Sequence, residues 1–307
     1  MARESFVRDR SEGFGPRPPT RRPMESGEGA WAKTWRVGMS PGQNPARGAR
    51  GPGRTGGDGD PDSGEMFREK MHDLVLVDFD DTLVETAPAF HGAREALFER
   101  LAREGFSRED CFKVHHEEVE PELLVLFGMG PFRLEPSFRD TYVRLCAKEG
   151  RTPDPEVAEA CGALGRDFMG HPRVMDGVLD ALAALVHHVP TVIYSQASHP
   201  DYQLGRIRDA GVTDVIPEDR IRITYRKTRE TFLAALAHFR IPEPGRALMI
   251  GNSLRSDVNP ALEAGAQAIM VEPYEMWHYD NVPPVSEDFL RFGTFPEAVA
   301  ALVKNGG

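Results

Sequence analysis

Residues 73–84 read DLVLVDFDDTLV, and the fold of the chain turns on them. Leu74, Val75, Leu76 and Val77 form a short apolar run without polar alternation, and two of the four are β-branched. Such a run predicts a strand buried on both faces, as in a parallel sheet. It stops at Asp78, and Asp80 and Asp81 follow around Phe79, ahead of Thr82. Carboxylates crowded at the end of a buried strand cost several kcal/mol each in desolvation unless a cation compensates them. A divalent metal held by oxygen ligands is the simplest such cation, and Mg²⁺ fits best. The alternative is a polar turn whose acids point into water.

Downstream, the pattern alternates between strand and helix. TVIYS (191–195), RIRIT (220–224), ALMIG (247–251) and AIMV (268–271) read as further strands. Between them lie amphipathic helices: DGVLDALAALVHH with Asp176 as N-cap, YQLGRIRDAG closed by Gly211, and RETFLAALAHF with Phe232, Leu236 and Phe239 facing inward. DVNPALEAG and the terminal FPEAVAALVKNG complete the series. Alternation of this kind implies right-handed βαβ units and an α/β fold, a doubly wound parallel sheet of five strands or more. The stretch 86–172 breaks the rhythm. Its segments are all helical, with Pro88 and Gly105 framing the first and Pro121 breaking the second. It is too long for a simple crossover and reads as an inserted helical domain between core segments 66–85 and 173–307.

Residues 1–65 are rich in Arg, Gly and Pro and poor in large apolar side chains, so they are expected to be a disordered tail. Met66 and Met71 are alternative starts. The chain has 307 residues and a formal charge of −11, and 40% of it is hydrophobic, which is enough for a sizeable core. That acidity argues against general nucleic-acid binding, with the basic tail as the one feature on the other side. Cys111, Cys146 and Cys161 are few, odd in number and widely spaced, which suggests reduced thiols in a cytoplasmic protein. No apolar run approaches the roughly 20 residues that span a bilayer.

Parallel strands bring their carboxyl ends to one edge of the sheet, where ligands bind. Asp78, Ser195 and the Gly251-Asn252-Ser253 turn therefore converge, and Lys227, just past the third strand, can reach them. Two carboxylates, a hydroxyl, an ammonium and the acidic Asn252–Asp257 segment suit a metal and a phosphate. An aspartate can attack phosphorus to form an acyl phosphate, and a second carboxyl can protonate the leaving oxygen and then activate water. Asp78 is the expected nucleophile and Asp80 the acid/base, with Thr82 bracing Asp80. Ser195, Gln196 and Lys227 would hold the phosphate. Metal ligands would come from Asp78, Asp80, Asn252 and Asp257. Taken singly, each has a plainer reading: Ser195 bonding its own turn, Lys227 on the surface, Asp257 beginning a helix. The His pairs at 115–116 and 187–188 read as surface or helix-end residues, and EEVEPE as a solvated face. Trp277 and His278 are placed beside the site.

These residues resemble the haloacid dehalogenase-like hydrolase superfamily over residues 66–305. Its first motif, DxDx(T/V) after an apolar strand, appears as Asp78, Asp80 and Thr82. Its second and third appear as Ser195 and as Lys227 in RKTRETF. Its fourth, usually GDSxxxD before an Ala-Gly helix, appears as GNSLRSDVNPALEAG. The resemblance implies a Rossmann-like core, a cap at 86–172 that selects substrate, and Mg²⁺-dependent hydrolysis of a small phosphorylated metabolite. A phosphomutase shares the motifs. A binding or scaffold protein that has kept the fold is the third reading, and Asn252, standing where an acid is usual, is the feature in its favour. Asp80 speaks against a dehalogenase. Phe79 after the nucleophile and the lack of membrane spans speak against an ion-pumping ATPase.

Overall fold

The computed structural model describes residues 72–166, 172–273, 280 and 282–305. The tail at 1–65, Met66, Met71, Trp277 and His278 lie outside the described residues. The first strand, β1 (Leu74–Val77), is buried throughout, as its unbroken apolar run predicts. It lies in a parallel six-stranded sheet with β4 (Thr191–Gln196), β5 (Ile221–Thr224), β6 (Ala247–Gly251), β7 (Gln267–Val271) and β8 (Leu290–Phe292). The order is β5-β4-β1-β6-β7-β8, so β1 is the strand from which the chain builds first to one side and then to the other. Such a reversal opens a crevice at the carboxyl ends of the central strands.

Both faces of the sheet are covered. Val75 and Val77 pack with Val178, Leu182 and Phe295, while Leu74 and Leu76 pack with Phe232, Leu236 and Val258 on the opposite side. At about 25 cal/mol per Å² of apolar surface removed from water, these two layers supply the main driving force for the core. Strand β8 was not anticipated from sequence. It is three residues long and half-buried at the sheet edge, so it carries no apolar run to announce it.

The helical insertion comprises α1 (Ala87–Arg103), α2 (Arg108–Lys113), α3 (Glu120–Phe127), α4 (Leu134–Lys148) and α5 (Pro155–Arg166). Its apolar residues form a cluster of their own around Leu97, Leu101, Phe138 and Tyr142. Its two ends are tied together by a short antiparallel ribbon, β2 (Val84–Glu85) against β3 (Arg173–Val174). The insertion therefore leaves and re-enters the core at one place, as a cap does.

Three local expectations are corrected. Pro121 does not break the helix. A π-helical segment, Val114–Val119, precedes it and moves the Glu120 N–H onto the His115 carbonyl. The wide turn displaces the carbonyl that a proline ring would otherwise strike. The same device, Leu254–Val258, precedes Pro260. Asp176 does not cap its helix: left-handed Gly177 stands at the N-cap of α6 (Val178–His188). Arg220 lies in a short 3-10 turn ahead of β5.

Candidate active site

The chain leaves β1 through a tight turn. Asp78 N–H donates to the Ile250 carbonyl at 2.9 Å, and the Phe79 carbonyl accepts from Leu83 N–H at 2.9 Å. Asp81 adopts a left-handed φ of 57°, which aspartate tolerates better than most residues. Its carboxylate caps the first cap helix, accepting from the N–H groups of Thr86 and Ala87 at 2.9 and 2.7 Å. Of the three acids in this turn, Asp81 is thus a structural cap. Burial still pushes its carboxyl up to about 6.

The other two acids face the crevice. Asp78 Oδ1 accepts from Lys227 Nζ at 2.5 Å, and the same ammonium donates to Asp257 Oδ1 at 2.7 Å. Residues from the ends of β1, β5 and β6 are thereby brought to one point. All three side chains are almost inaccessible to water. Burial pushes the Asp78 carboxyl up from its ordinary range, while the Lys227 charge opposes it. Burial alone would lower the Lys227 ammonium, but the two carboxylates outweigh it and hold the proton firmly.

Local structure fixes each member. Thr228 N-caps α8 (Arg229–His238) in a reciprocal box with Thr231, which sets the chain just past Lys227. The Gln196 side-chain oxygen accepts from Lys227 N–H at 2.9 Å. Asp257 Oδ2 accepts from Ser253 N–H at 3.0 Å. Gly251 makes room for this acid, since a Cβ there would come within 2.4 Å of the Asp257 carboxyl. Asn252, half-buried, sits between the two at the end of β6.

Asp80 is held by a different set. Its Oδ1 accepts from the Thr86 hydroxyl and from Arg206 Nη1, each at 2.6 Å, and its Oδ2 accepts from Gln203 Nε2 at 2.6 Å. Gln203 also donates to Ser195 Oγ at 2.9 Å, which links the buried end of β4 to the same acid. Thr82 was expected to brace Asp80. Its hydroxyl instead reaches Asp78 Oδ2 at 3.3 Å, because the tight turn folds residue 82 back toward the end of β1.

The oxygen donors at this edge include the carboxylates of Asp78 and Asp257 and the amide of Asn252. That is a hard-oxygen set of the kind Mg²⁺ takes with one or two carboxylates and water. With both carboxyls ionised, the buried pair Asp78 and Asp257 carries one more negative charge than Lys227 neutralises, and burial together with this surplus raises the Asp78 carboxyl to about 8. The residues present therefore fit a divalent cation, although among the described residues no three His, Cys, Asp or Glu side chains gather as a ready-made cage.

A family model for haloacid dehalogenase-like hydrolases matches residues 72–265, which takes in β1 through the helix after β6. The chain belongs to the haloacid dehalogenase-like hydrolases. A hydrolase of this family from Xanthomonas campestris is similar at 28% identity and a TM-score of 0.62, over 78% of this chain and 95% of that one. A family hydrolase from Deinococcus radiodurans R1 aligns at 19% identity and a TM-score of 0.54, over 78% of this chain and 98% of the other. No curated protein matches the chain by sequence. In this hydrolase, as in the resemblance read from its motifs, Asp78, Lys227 and Asp257 share one edge of a Rossmann-like sheet.

Sequence reasoning missed Thr86, Gln203 and Arg206. The helix that carries the last two, α7 (Pro200–Asp209), was recognisable, and their spacing places them one turn apart. Nothing in the sequence says that this face turns toward Asp80. Asp280 was also missed: burial pushes its carboxyl up to about 6 beside Ser253. The cap corrects two further expectations. His115 is fully buried, and Glu120 of the EEVEPE segment is buried in an ion pair with Arg133 at 3.2 Å. His187 and His188 do lie at a helix end. Among the described residues no helix is long and apolar enough to cross a membrane.

Proposed function

We propose that this hydrolase is a Mg²⁺-dependent phosphatase that cleaves a small-molecule phosphate monoester through a phosphoaspartyl intermediate. The observation that carries this reading is the pair of carboxylates on one turn in contrasting surroundings. Asp78 is buried against Lys227, whereas Asp80 is 27% exposed and linked through Gln203 to Ser195. A nucleophile and an acid/base need such different settings. A dehalogenase has no use for the second acid.

In the first step an Asp78 oxygen bonds to phosphorus as the ester P–O bond breaks, and the leaving oxygen takes a proton from Asp80. In the second, water gives a proton to Asp80 and attacks the phosphorus of the acyl phosphate, freeing Asp78 and phosphate. Ser195 and Lys227 hold the transferring oxygens. Gln196, whose side chain is committed to Lys227, acts on the phosphate by positioning that lysine. Mg²⁺, which Asp78, Asp80, Asn252 and Asp257 would hold, would offset the repulsion between phosphate and nucleophile. The amide at Asn252 offers oxygen without charge, so the metal is held more weakly than by the usual acid.

The cap supplies selectivity for a phosphorylated metabolite. Cys111, Cys146 and Cys161 form no disulfide, which supports a reducing, cytoplasmic setting. The test is hydrolysis of a panel of phosphate monoesters with Mg²⁺ and with chelator. Release of free phosphate that needs Mg²⁺ and is lost by about 10⁴-fold in Asp78→Asn supports the reading. Full activity in that variant, or isomerised sugar phosphate in place of free phosphate, overturns it. Asn252 favours one second reading, a binding protein that has kept the fold, and absence of Mg²⁺ binding at millimolar metal would favour it.

A further inference from the structure

Asp80 is held more completely than acid–base work requires. Both oxygens are engaged, by Thr86, Arg206 and Gln203. Arg206 is only 15% exposed. Its guanidinium lies 5.4 Å over the Phe79 ring, donates from Nη2 to Thr86 Oγ1 at 3.0 Å and from Nη1 to Gln203 Oε1 at 3.0 Å. A planar cation backed by an aromatic ring, flanked by an amide and a hydroxyl, is a cradle built for one carboxylate. The other nearby acid, Asp81, has an oxygen already committed to the first turn of the cap helix.

To reach a leaving oxygen, Asp80 must turn at least one of its own oxygens out of this cradle. A largely buried guanidinium would then face no anion, an arrangement that is costly. The vacated position lies on the leaving-group side, because the group that leaves it is the one that serves the leaving oxygen. We propose that Thr86, Gln203 and Arg206 form a substrate subsite that accepts a carboxylate on the leaving group, so that the enzyme acts on phosphate esters of small hydroxy acids. Asp80 occupies the subsite in the free protein and shows the chemistry it takes. This rests on the phosphatase reading above. Arg206 is then a specificity-determining residue, selecting among phosphate esters by their second charge.

The test compares matched pairs of esters: 2-phosphoglycolate with ethyl phosphate, and 3-phosphoglycerate with glycerol 3-phosphate. The quantity read is the ratio of kcat/KM, acid over neutral, in the full chain with Mg²⁺. Wild type is expected to favour the acid esters by about 10- to 100-fold, the worth of a charged hydrogen-bonded contact. In Arg206→Gln that ratio falls to about 1, and in Arg206→Lys it is intermediate, whatever happens to the absolute rates. No acid preference in wild type, or a ratio unchanged in Arg206→Gln, overturns the subsite. Binding of the same esters by calorimetry decides the matter if Arg206→Gln is inactive or wild type hydrolyses neither ester. A tenfold or greater acid preference in binding that depends on Arg206 supports the subsite even where the phosphatase reading has failed. Equal binding of acid and neutral esters removes it.

Discussion

Two buried charge clusters in this molecule look alike and differ in their balance. At the sheet edge, Lys227 stands between Asp78 and Asp257, one cation for two carboxyls. Inside the cap, Glu120 lies between Arg133 at 3.2 Å and His116 at 3.1 Å, one anion with a full cation and a histidine beside it. Burial works against the Glu120 carboxylate, yet these partners hold it well below its usual range. Arg133 also donates to the Gly130 carbonyl at 2.7 Å, and the backbone N–H of Ser198 donates to the neighbouring Met129 carbonyl at 3.1 Å. The cap cluster is thus balanced in charge by protein and fixes a loop against the core, although Arg133 Nε is buried without a hydrogen-bond partner. The edge cluster holds one carboxyl more than its cation neutralises, and burial together with that surplus raises the Asp78 carboxyl to about 8, where a bound cation would keep it ionised.

The largest effect that could break this contrast is at Lys227. Lys227→Met leaves two buried carboxylates facing each other and should cost about 3–5 kcal/mol in chemical denaturation without metal. Added Mg²⁺ should restore part of that loss, and equal losses with and without Mg²⁺ would count against a cation site at this edge. In the cap, Glu120→Gln strands Arg133 and should cost a similar or slightly smaller amount. The double variant Glu120→Gln with Arg133→Met should recover most of it, since a buried ion pair is close to neutral against an apolar replacement. Mg²⁺ should have no effect on that recovery.

Metal itself gives a smaller shift. At 100 times its dissociation constant, Mg²⁺ should stabilise the wild type by about 2.7 kcal/mol, and Asp257→Asn should lose most of this. A thermal or denaturant titration with Mg²⁺ reads it directly. The smallest effect, per pH unit, is the slope from His115. Burial depresses this imidazole to about 3, so the native state stays neutral where the unfolded chain, near 6.5, takes up a proton. Stability should therefore fall as pH drops from 6.5 toward 3, by at most about 1.4 kcal/mol per pH unit. Glu120 tilts the curve in the same direction, because its stabilising contribution is present above 4.5 and lost as pH falls. The slope belonging to His115 is the difference between wild type and His115→Gln, measured by denaturation across that range.

Much of the fold and part of the site were legible in the residues. A continuous apolar run, LVLV, can be satisfied only by burial on both faces, and strand direction alone then carries Asp78, Ser195, Lys227 and Asp257 to one edge. These are consequences of local pattern and backbone geometry, so sequence by itself determined them. Thr82 shows where that reasoning stops: its partner depends on how the turn after β1 folds back, and the turn chose Asp78. Pro121 shows it again, because a π-helical segment ahead of it lets the helix continue. Thr86, Gln203 and Arg206 were decided only by tertiary structure. Thr86 stands just before the first cap helix and the other two lie on α7, far along the chain, so that which face of α7 meets Asp80 is set by packing rather than by any local preference. The same holds for His115 and Glu120, whose polar letters suggest solvent but whose neighbours enclose them. Local pattern fixes what must be buried, and long-range packing decides which polar groups are buried with it.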